Sequence, residues 1–470
     1  MSFEKIHNAY FLGIGGIGMS ALARWFQHEG MMVSGYDRTP SPLTDQLIVE
    51  GMTVNFVDEV DAIPESIKSN PIQSMIIWTP AMPADSAQLN YFRDQGFQLK
   101  KRSEILGMVT SAFYTIAVAG THGKTTTSSL LAHLLKAAGK PVVAFLGGIT
   151  QNYQSNLILG DKSSKELTLV VVEADEFDRS FLRLHPNEAI VTSADPDHLD
   201  IYGDESSILQ GFSEFLKLID KKGKLYIQQN AALKLEDVGM PKVKTKTYGL
   251  GSATISAQNI QAKRGSFIFD YVTEKQTIRQ LELFVPGFHN VENAIGAIAV
   301  ALAHQLTEDQ IRKGLASFKG VKRRFEIHLN TENIVFIDDY AHHPEEIRAS
   351  LSSVRAMFPM KKITVIFQPH LFTRTRDFAA GFSESLSLAD EVILLDIYPA
   401  RELPIPGVES AMLLNDISTT KKSFVKKEEL FNYLETTNLE VLVTLGAGDI
   451  DRLVPALAEW TKERAKRLAL

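Results

Sequence analysis

The sequence predicts an α/β protein of three domains, and three observations carry that prediction. A strand, a glycine-rich turn and a helix follow one another at residues 8–28, and the same order recurs at residues 115–138. From residue 319 onward, strand-like runs alternate with helical stretches. Alternation of this kind builds parallel sheets covered by helices. The 470 residues fit two to four domains. The expected division is 1–110, 111–318 and 319–470. The first and third domains are expected to be Rossmann-like, and the central one a P-loop ATPase-type parallel sheet with an added antiparallel sheet.

The first domain opens with a strand from Asn8 to Leu12, then Gly13, Gly15, Gly16 and Gly18, then a helical pattern to His28. A second strand, Met31 to Tyr36, ends at Asp37. Glycines in the turn, a helix start behind them and an acid about 20 residues on form the fingerprint that holds a nucleotide diphosphate. Further strands are read at Ser74–Trp78, which ends beside Thr79, and at Phe97–Lys100, which leads to Arg102.

The second domain begins with an apolar run, Thr115 to Ala119, and then Gly120-Thr121-His122-Gly123-Lys124-Thr125-Thr126. Backbone N–H groups at the helix start, a lysine and a hydroxyl make a phosphate cradle. A strict Walker A motif has glycine where this chain has Val118. Leu167 to Val172 reads as a strand buried on both faces, ending at Glu173-Ala174-Asp175-Glu176. Ala189 to Thr192 is a shorter strand, followed by Ser193 and Asp197-His198. Ligands of open α/β sheets sit beyond the carboxyl ends of strands, where both acidic groups fall. Glu173 is the leading candidate for a magnesium ligand, with His198 a second and Thr125 a third. From Lys221 to Phe284 polar alternation predicts antiparallel strands, and His289, Asn290 and Asn293 then open an alanine-rich helix.

In the third domain, Asp338-Asp339-Tyr340-Ala341-His342-His343-Pro344 joins a buried strand to a helix. The next strand ends in Gln368-Pro369-His370-Leu371-Phe372-Thr373-Arg374-Thr375-Arg376. Arginine there fits an anion or carboxylate site. Arg376 reads instead as a surface partner of Asp377 or of another neighbour.

Composition removes several classes. With no cysteine the chain has no disulfide, thiolate metal site or cysteine nucleophile. A net charge of −7 speaks against a nucleic-acid binder. No signal peptide, transmembrane helix or membrane partner is expected, and a cytoplasmic location follows as an expectation.

The ordered motifs closely resemble the Mur ligases of peptidoglycan synthesis. They are GIGGIGMS from Gly13, AGTHGKTTT from Ala119, VEADE from Val172, DHLD from Asp197, PGFHNVENA from Pro286, RRFE from Arg323, DDYAHHP from Asp338, FQPHLFTRTRD from Phe367, YPARELPIPG from Tyr398 and GAGDI from Gly446. The resemblance spans essentially the whole length. It is greatest to the branch that joins L-alanine to UDP-N-acetylmuramate through an acyl phosphate, with ATP and Mg²⁺ (or Mn²⁺ in its stead). The alternative is the recycling branch that attaches a whole tripeptide.

The resemblance implies that Gly13, Gly15, Gly16, Gly18, Asp37, Thr79 and Arg102 hold the UDP-sugar. It gives Gly120 to Thr126 to ATP, with Lys124 on the β- and γ-phosphates. His289, Asn290 and Asn293 resemble the adenine contacts, and Arg324 and Asp338 the third-domain groups that reach the nucleotide. Thr125, Glu173 and His198 belong to the metal sites. Tyr340, His342, His370 and Arg374 lie around the incoming alanine and the acyl phosphate. Lys124, His198, Arg324, His342 and Arg374 are the expected catalytic groups, in a monomer or homodimer. The chain departs from the family pattern at Ser193, where asparagine is common, and at Leu371, where some relatives have arginine. Leu209-Gln210-Gly211-Phe212 replaces the stretch that carries a carbamoylated lysine in sister enzymes, so no such group is expected, on Lys217 or elsewhere.

Overall fold

A computed structural model describes residues 3–160, 167–196, 202, 204–400 and 402–468. The chain is α/β, as predicted, and divides into two compact units. The first comprises residues 1–256 and 293–314, the second 257–292 and 315–470.

The first unit contains a five-stranded parallel sheet in the order β3-β2-β1-β4-β5. Its strands are β1 (Asn8–Leu12), β2 (Met32–Tyr36), β3 (Thr53–Asn55), β4 (Ser74–Trp78) and β5 (Gln98–Lys101). The chain leaves β1 toward β2 and β3 and later returns to β4 on its other side, so the strand order reverses at the carboxyl end of β1. That end is where the first glycine turn lies.

A second sheet of the same unit runs β12-β11-β10-β6-β9-β7-β8. Here β6 is Tyr114–Ala119, β7 Val142–Thr150, β8 Ser155–Ile158, β9 Leu169–Ala174, β10 Glu188–Val191, β11 Lys224–Gln228 and β12 Lys244–Gly249. Strand β6 sits between β9 and β10, all parallel, and the four residues Ile116–Ala119 are fully buried. Such burial on both faces explains the unbroken apolar runs. The sequence reading of antiparallel strands from Lys221 is corrected for β11 and β12, which are parallel to β10. A helix, Gln229–Glu236, follows β11 and supplies the crossover that a parallel pair needs. Strand β13 (Ile255–Lys263) starts beside β12 at Ile255 and Ser256 and carries the chain into the second unit. Only there does a true antiparallel pair follow, β14 (Ser266–Thr273) with β15 (Thr277–Leu283).

The two sheets of the first unit share one apolar core. The helix Ile17–His28 packs on β7 and β8. Trp25 meets Phe145 edge-on at 6.1 Å between ring centroids. At the same junction the fully buried Asn156 donates to Ser20 Oγ at 2.9 Å and to the Ile17 carbonyl, while its own oxygen accepts from Arg24. Arg24 in turn makes a two-pronged contact with Glu50, at 2.7 and 3.0 Å.

The second unit holds a six-stranded sheet in the order β16-β17-β21-β18-β19-β20. Strand β16 (Glu326–Asn330) is antiparallel to β17 (Val335–Asp339). The others, β18 (Ile363–Phe367), β19 (Glu391–Leu394), β20 (Lys421–Phe424) and β21 (Val441–Leu445), are parallel. Two short helices, Phe372–Asp377 and Ala379–Leu386, follow β18. Among the described residues no helix is long and apolar enough to cross a membrane.

Candidate active site

The first glycine turn lies between β1 and the helix that starts at Ile17. Asp37, at the end of β2, accepts the Gly15 N–H at 2.7 Å. Its carboxylate therefore braces the loop. At Gly18 a Cβ would stand 2.4 Å from Arg102 Nη1, so a side chain there would have to displace the guanidinium. Gly13, Gly15, Gly16, Gly18, Asp37, Thr79 and Arg102, all seven residues read for the first turn, line one cavity of about 590 Å³. Asp175 lines it too, 3.8 Å from Arg102. The sequence offered no sign that an acid after β9 would reach this cavity.

The second turn follows β6. Gly123 has φ +80°, and a Cβ on it would come 2.5 Å from Asn293 Oδ1, so glycine is required twice over. The helix starts at Lys124, earlier than the apolar spacing indicated, which puts Thr125 and Thr126 in its first turn. Lys124 Nζ donates to the Gly120 carbonyl at 2.6 Å and to both oxygens of Glu176 at 2.9 and 2.7 Å. Burial works against the ammonium, but Glu176, with Asp175 and Glu173 behind it, holds its pKa above the ordinary lysine value.

Glu173 and Ala174 lie within β9 and not beyond it. Glu173 accepts from Thr125 Oγ1 at 3.0 Å and from the Gly147 N–H at 2.8 Å. Burial foremost raises its pKa, and Lys124 opposes that rise. The paired hydroxyl and carboxylate oxygens are hard donors of the kind Mg²⁺ takes. Asp197 and His198 lie outside the described residues. Ser193, where the family pattern has asparagine, does contribute. Its Oγ accepts the His122 N–H at 2.7 Å and sits 2.9 Å from Thr121 Oγ1.

In the second unit, Asn290 is buried and donates to the Pro286 carbonyl at 2.8 Å. Burial lowers the His289 pKa to about 4, helped by the Arg324 charge, so its ring is neutral at pH 7. Tyr340 lies under two guanidinium groups, Arg324 at 4.9 Å and Arg323 at 5.3 Å from the ring centroid. Asp338 is fully buried, taken by Arg323 Nε at 3.1 Å and Thr444 Oγ1 at 2.7 Å.

His342 Nδ1 lies 3.0 Å from the Tyr340 carbonyl and 3.2 Å from Glu346, which also accepts the His342 N–H at 3.0 Å. The His342 and His370 rings are 6.1 Å apart, and His370 stacks on Tyr398 at 5.8 Å. Leu371 has φ +69° and precedes the short helix that carries Arg374. Glu402 pins that helix through the N–H and hydroxyl of Thr373, at 3.0 and 2.5 Å. Arg376 pairs with Asp377 at 2.7 Å, as its sequence reading had it.

Sequence reasoning passed over Glu176, Glu346, Arg323 and Glu402. One of them had a signal. Glu346 follows His343-Pro344 at the third helical position, which is the capping-box place for a glutamate.

Asp339 gives a pH prediction. Burial pushes its pKa up to about 6, against the pull of Arg324, from 3.8. The folded form thus prefers the protonated acid. Its stabilising contribution is complete below about pH 4 and is lost as pH rises through 6. Asp339→Asn is expected to gain on the wild type by about 2–3 kcal/mol between pH 4 and pH 7.5. Urea unfolding at both pH values measures this, and a difference that does not change with pH would exclude it.

The sequence matches the description "Mur ligase family, catalytic domain" over residues 8–114. It matches "Mur ligase middle domain" over 118–301 and "Mur ligase, glutamate ligase domain" over 323–448. The chain belongs to the Mur ligase family. Its α/β fold is that of the three Mur ligase domains. A curated Mur ligase, the UDP-N-acetylmuramate–L-alanine ligase of Christiangramia forsetii, is 50% identical over 448 residues, 95% of this chain and 96% of that one. The crystal structure of UDP-N-acetylmuramate-alanine ligase MurC from Thermotoga maritima superposes with a TM-score of 0.80 at 29% identity, over 97% of this chain and 99% of that one. The murein peptide ligase of Psychrobacter arcticus shares the fold at TM-score 0.68, with 24% identity over 96% of this chain and 99% of that one.

Proposed function

We propose that this Mur ligase joins L-alanine to the lactyl carboxylate of UDP-N-acetylmuramate at the expense of ATP, giving UDP-N-acetylmuramoyl-L-alanine, ADP and phosphate. The observation that carries the reading is a pair of glycine-turn cradles in one compact unit, in a chain half identical along its length to an enzyme of that name. The functional segments are 1–110 for the UDP-sugar, 111–318 for ATP and 319–470 for the amino acid.

The cavity at the first turn takes the UDP diphosphate on Gly13, Gly15, Gly16, Gly18 and Arg102, with Asp37 bracing the loop and Thr79 at its wall. Residues Gly120 to Thr126 take the ATP phosphates, and Lys124 sets a positive charge where negative charge is transferred. His289, Asn290 and Asn293 are assigned to adenine, a role that a neutral imidazole suits. Arg324 is assigned to the nucleotide, and the buried Asp338 holds Arg323 beside it. Thr125, Glu173 and His198 would hold magnesium (or Mn²⁺), which would neutralise phosphate charge when bound.

The γ-phosphoryl group passes to the lactyl carboxylate and ADP leaves. The alanine amine then attacks the acyl carbon, and phosphate departs with the electron pair of the broken C–O bond. Tyr340, His342, His370 and Arg374 orient the amino acid, with Glu346 and Glu402 fixing their loops. The protein works in the cytoplasm as a monomer or homodimer.

The test is phosphate release dependent on both UDP-N-acetylmuramate and alanine. A preference for the tripeptide over alanine would move the chain to the recycling branch. Arg374→Ala is expected to raise the KM for alanine at least tenfold and leave the Kd for ATP within twofold. Steady-state kinetics and calorimetry check the pair of values, and an unchanged KM and kcat for alanine would remove Arg374 from the site.

A further inference from the structure

An ammonium group has three hydrogens to donate. On Lys124 they meet the Gly120 carbonyl and the two oxygens of Glu176, each within 3 Å. The donors are thus fully taken before any phosphate arrives. The Glu176 side chain is only 2% exposed, so water cannot substitute for it freely. Its position is fixed from behind: the Tyr202 hydroxyl donates to the Glu176 carbonyl at 2.8 Å, and a tight turn, Phe177–Arg183, follows at once. Its neighbour Asp175 points into the first cavity and serves Arg102.

We propose that Glu176 is a positioning residue, the resident counter-ion of Lys124, which the phosphates of a nucleotide must replace on that ammonium group. This rests on the reading of the second turn as the ATP cradle. A carboxylate and a phosphate offer the same two-oxygen face to a lysine, so binding is an exchange of like for like. The ligand-free protein keeps a buried lysine paired, and the affinity for nucleotide is correspondingly lower than the cradle alone would give. A paired buried charge costs far less than one left alone.

The consequence is a split that a merely structural glutamate would not produce. Glu176→Gln keeps the shape and removes the charge. The ligand-free protein should then unfold at lower temperature, because Lys124 loses its partner. At the same time ADP should bind about tenfold more tightly, because the exchange no longer displaces an anion. A structural role would weaken both.

Calorimetric titration with ADP in the presence of a chelator, beside thermal unfolding, makes the measurement free of any metal. Glu176→Asp keeps the charge on a shorter stem and should tighten ADP binding less than glutamine does, which serves if Glu176→Gln proves too unstable to titrate. ADP affinity that is unchanged or weaker in both variants overturns the proposal. Lys124→Ala separates the two readings. If it leaves ADP affinity intact, the ATP cradle itself is wrongly assigned. If it abolishes ADP binding while Glu176→Gln changes nothing, only the counter-ion role fails.

Discussion

Replacement of Lys124 by alanine is expected to lower ligation about 10³-fold and to leave UDP-N-acetylmuramate binding unchanged. Loss of one well-placed charge at a phosphoryl-transfer site typically costs 10²–10³-fold in rate. Here the loss is expected at the upper end of that range, because the change also reverses the local field. Without the ammonium group, Glu176, Glu173 and Asp175 remain together and oppose the triphosphate. The sugar nucleotide should be spared, since the cavity proposed for it is built on the other glycine turn and Lys124 is not part of that lining. Phosphate release in the presence of both substrates reads the first effect, and calorimetry with the UDP-sugar reads the second. Turnover at the wild-type rate would refute the role given to Lys124.

The largest stability effect is expected at Arg323. Its guanidinium meets Asp338, which has no solvent exposure, and donates to the Gly446 carbonyl at 2.7 Å. It thus ties β17 to the turn after β21. Arg323→Met leaves the buried carboxylate, among the described residues, with the hydrogen bond from Thr444 Oγ1 and no paired cation. Breaking a buried pair from one side costs about 3–5 kcal/mol. In a unit of this size that lowers the melting temperature by about 10 °C. Adding Asp338→Asn should recover most of the loss, since a neutral amide needs no counter-ion, and the double-mutant cycle isolates the pair. Equal destabilisation by the single and double variants would show that Arg323 acts through packing alone.

The parts of this fold that could be read in advance are those where one strand or one turn decides the outcome. β1 and β4 run over the residues predicted because a short, largely apolar stretch in a strand–turn–helix order has few other uses. The glycine turns were legible because the backbone there takes a conformation side chains rarely adopt, φ +89° at Gly13 and +80° at Gly123. What stayed hidden depends on pairing between distant segments. The parallel setting of β11 and β12 follows from a crossover helix that polar alternation in the strands does not reveal. Asp175 and Glu176 are neighbours in sequence, yet one faces the first cavity and the other Lys124, a division set by the tight turn after β9. In the third domain the side chains assigned to the substrates were visible, whereas of their supports Glu346 had only a capping signal and Glu402 had none. Support is a matter of which loop lies alongside.

The junction at Asn156 has a consequence for anyone who cuts or recombines this chain. Family boundaries fall between residues 114 and 118, which invites treating the first domain as a cassette. Yet the Ile17–His28 helix is fastened by Asn156 and Arg24 to a strand on the far side of that boundary, and Trp25 and Phe145 share one core. A first domain produced alone would expose that apolar face. A chimera between relatives would keep its first glycine turn in register only if β7 and β8 travelled with it. The inheritable module is therefore discontinuous: the first sheet together with the wall it leans on.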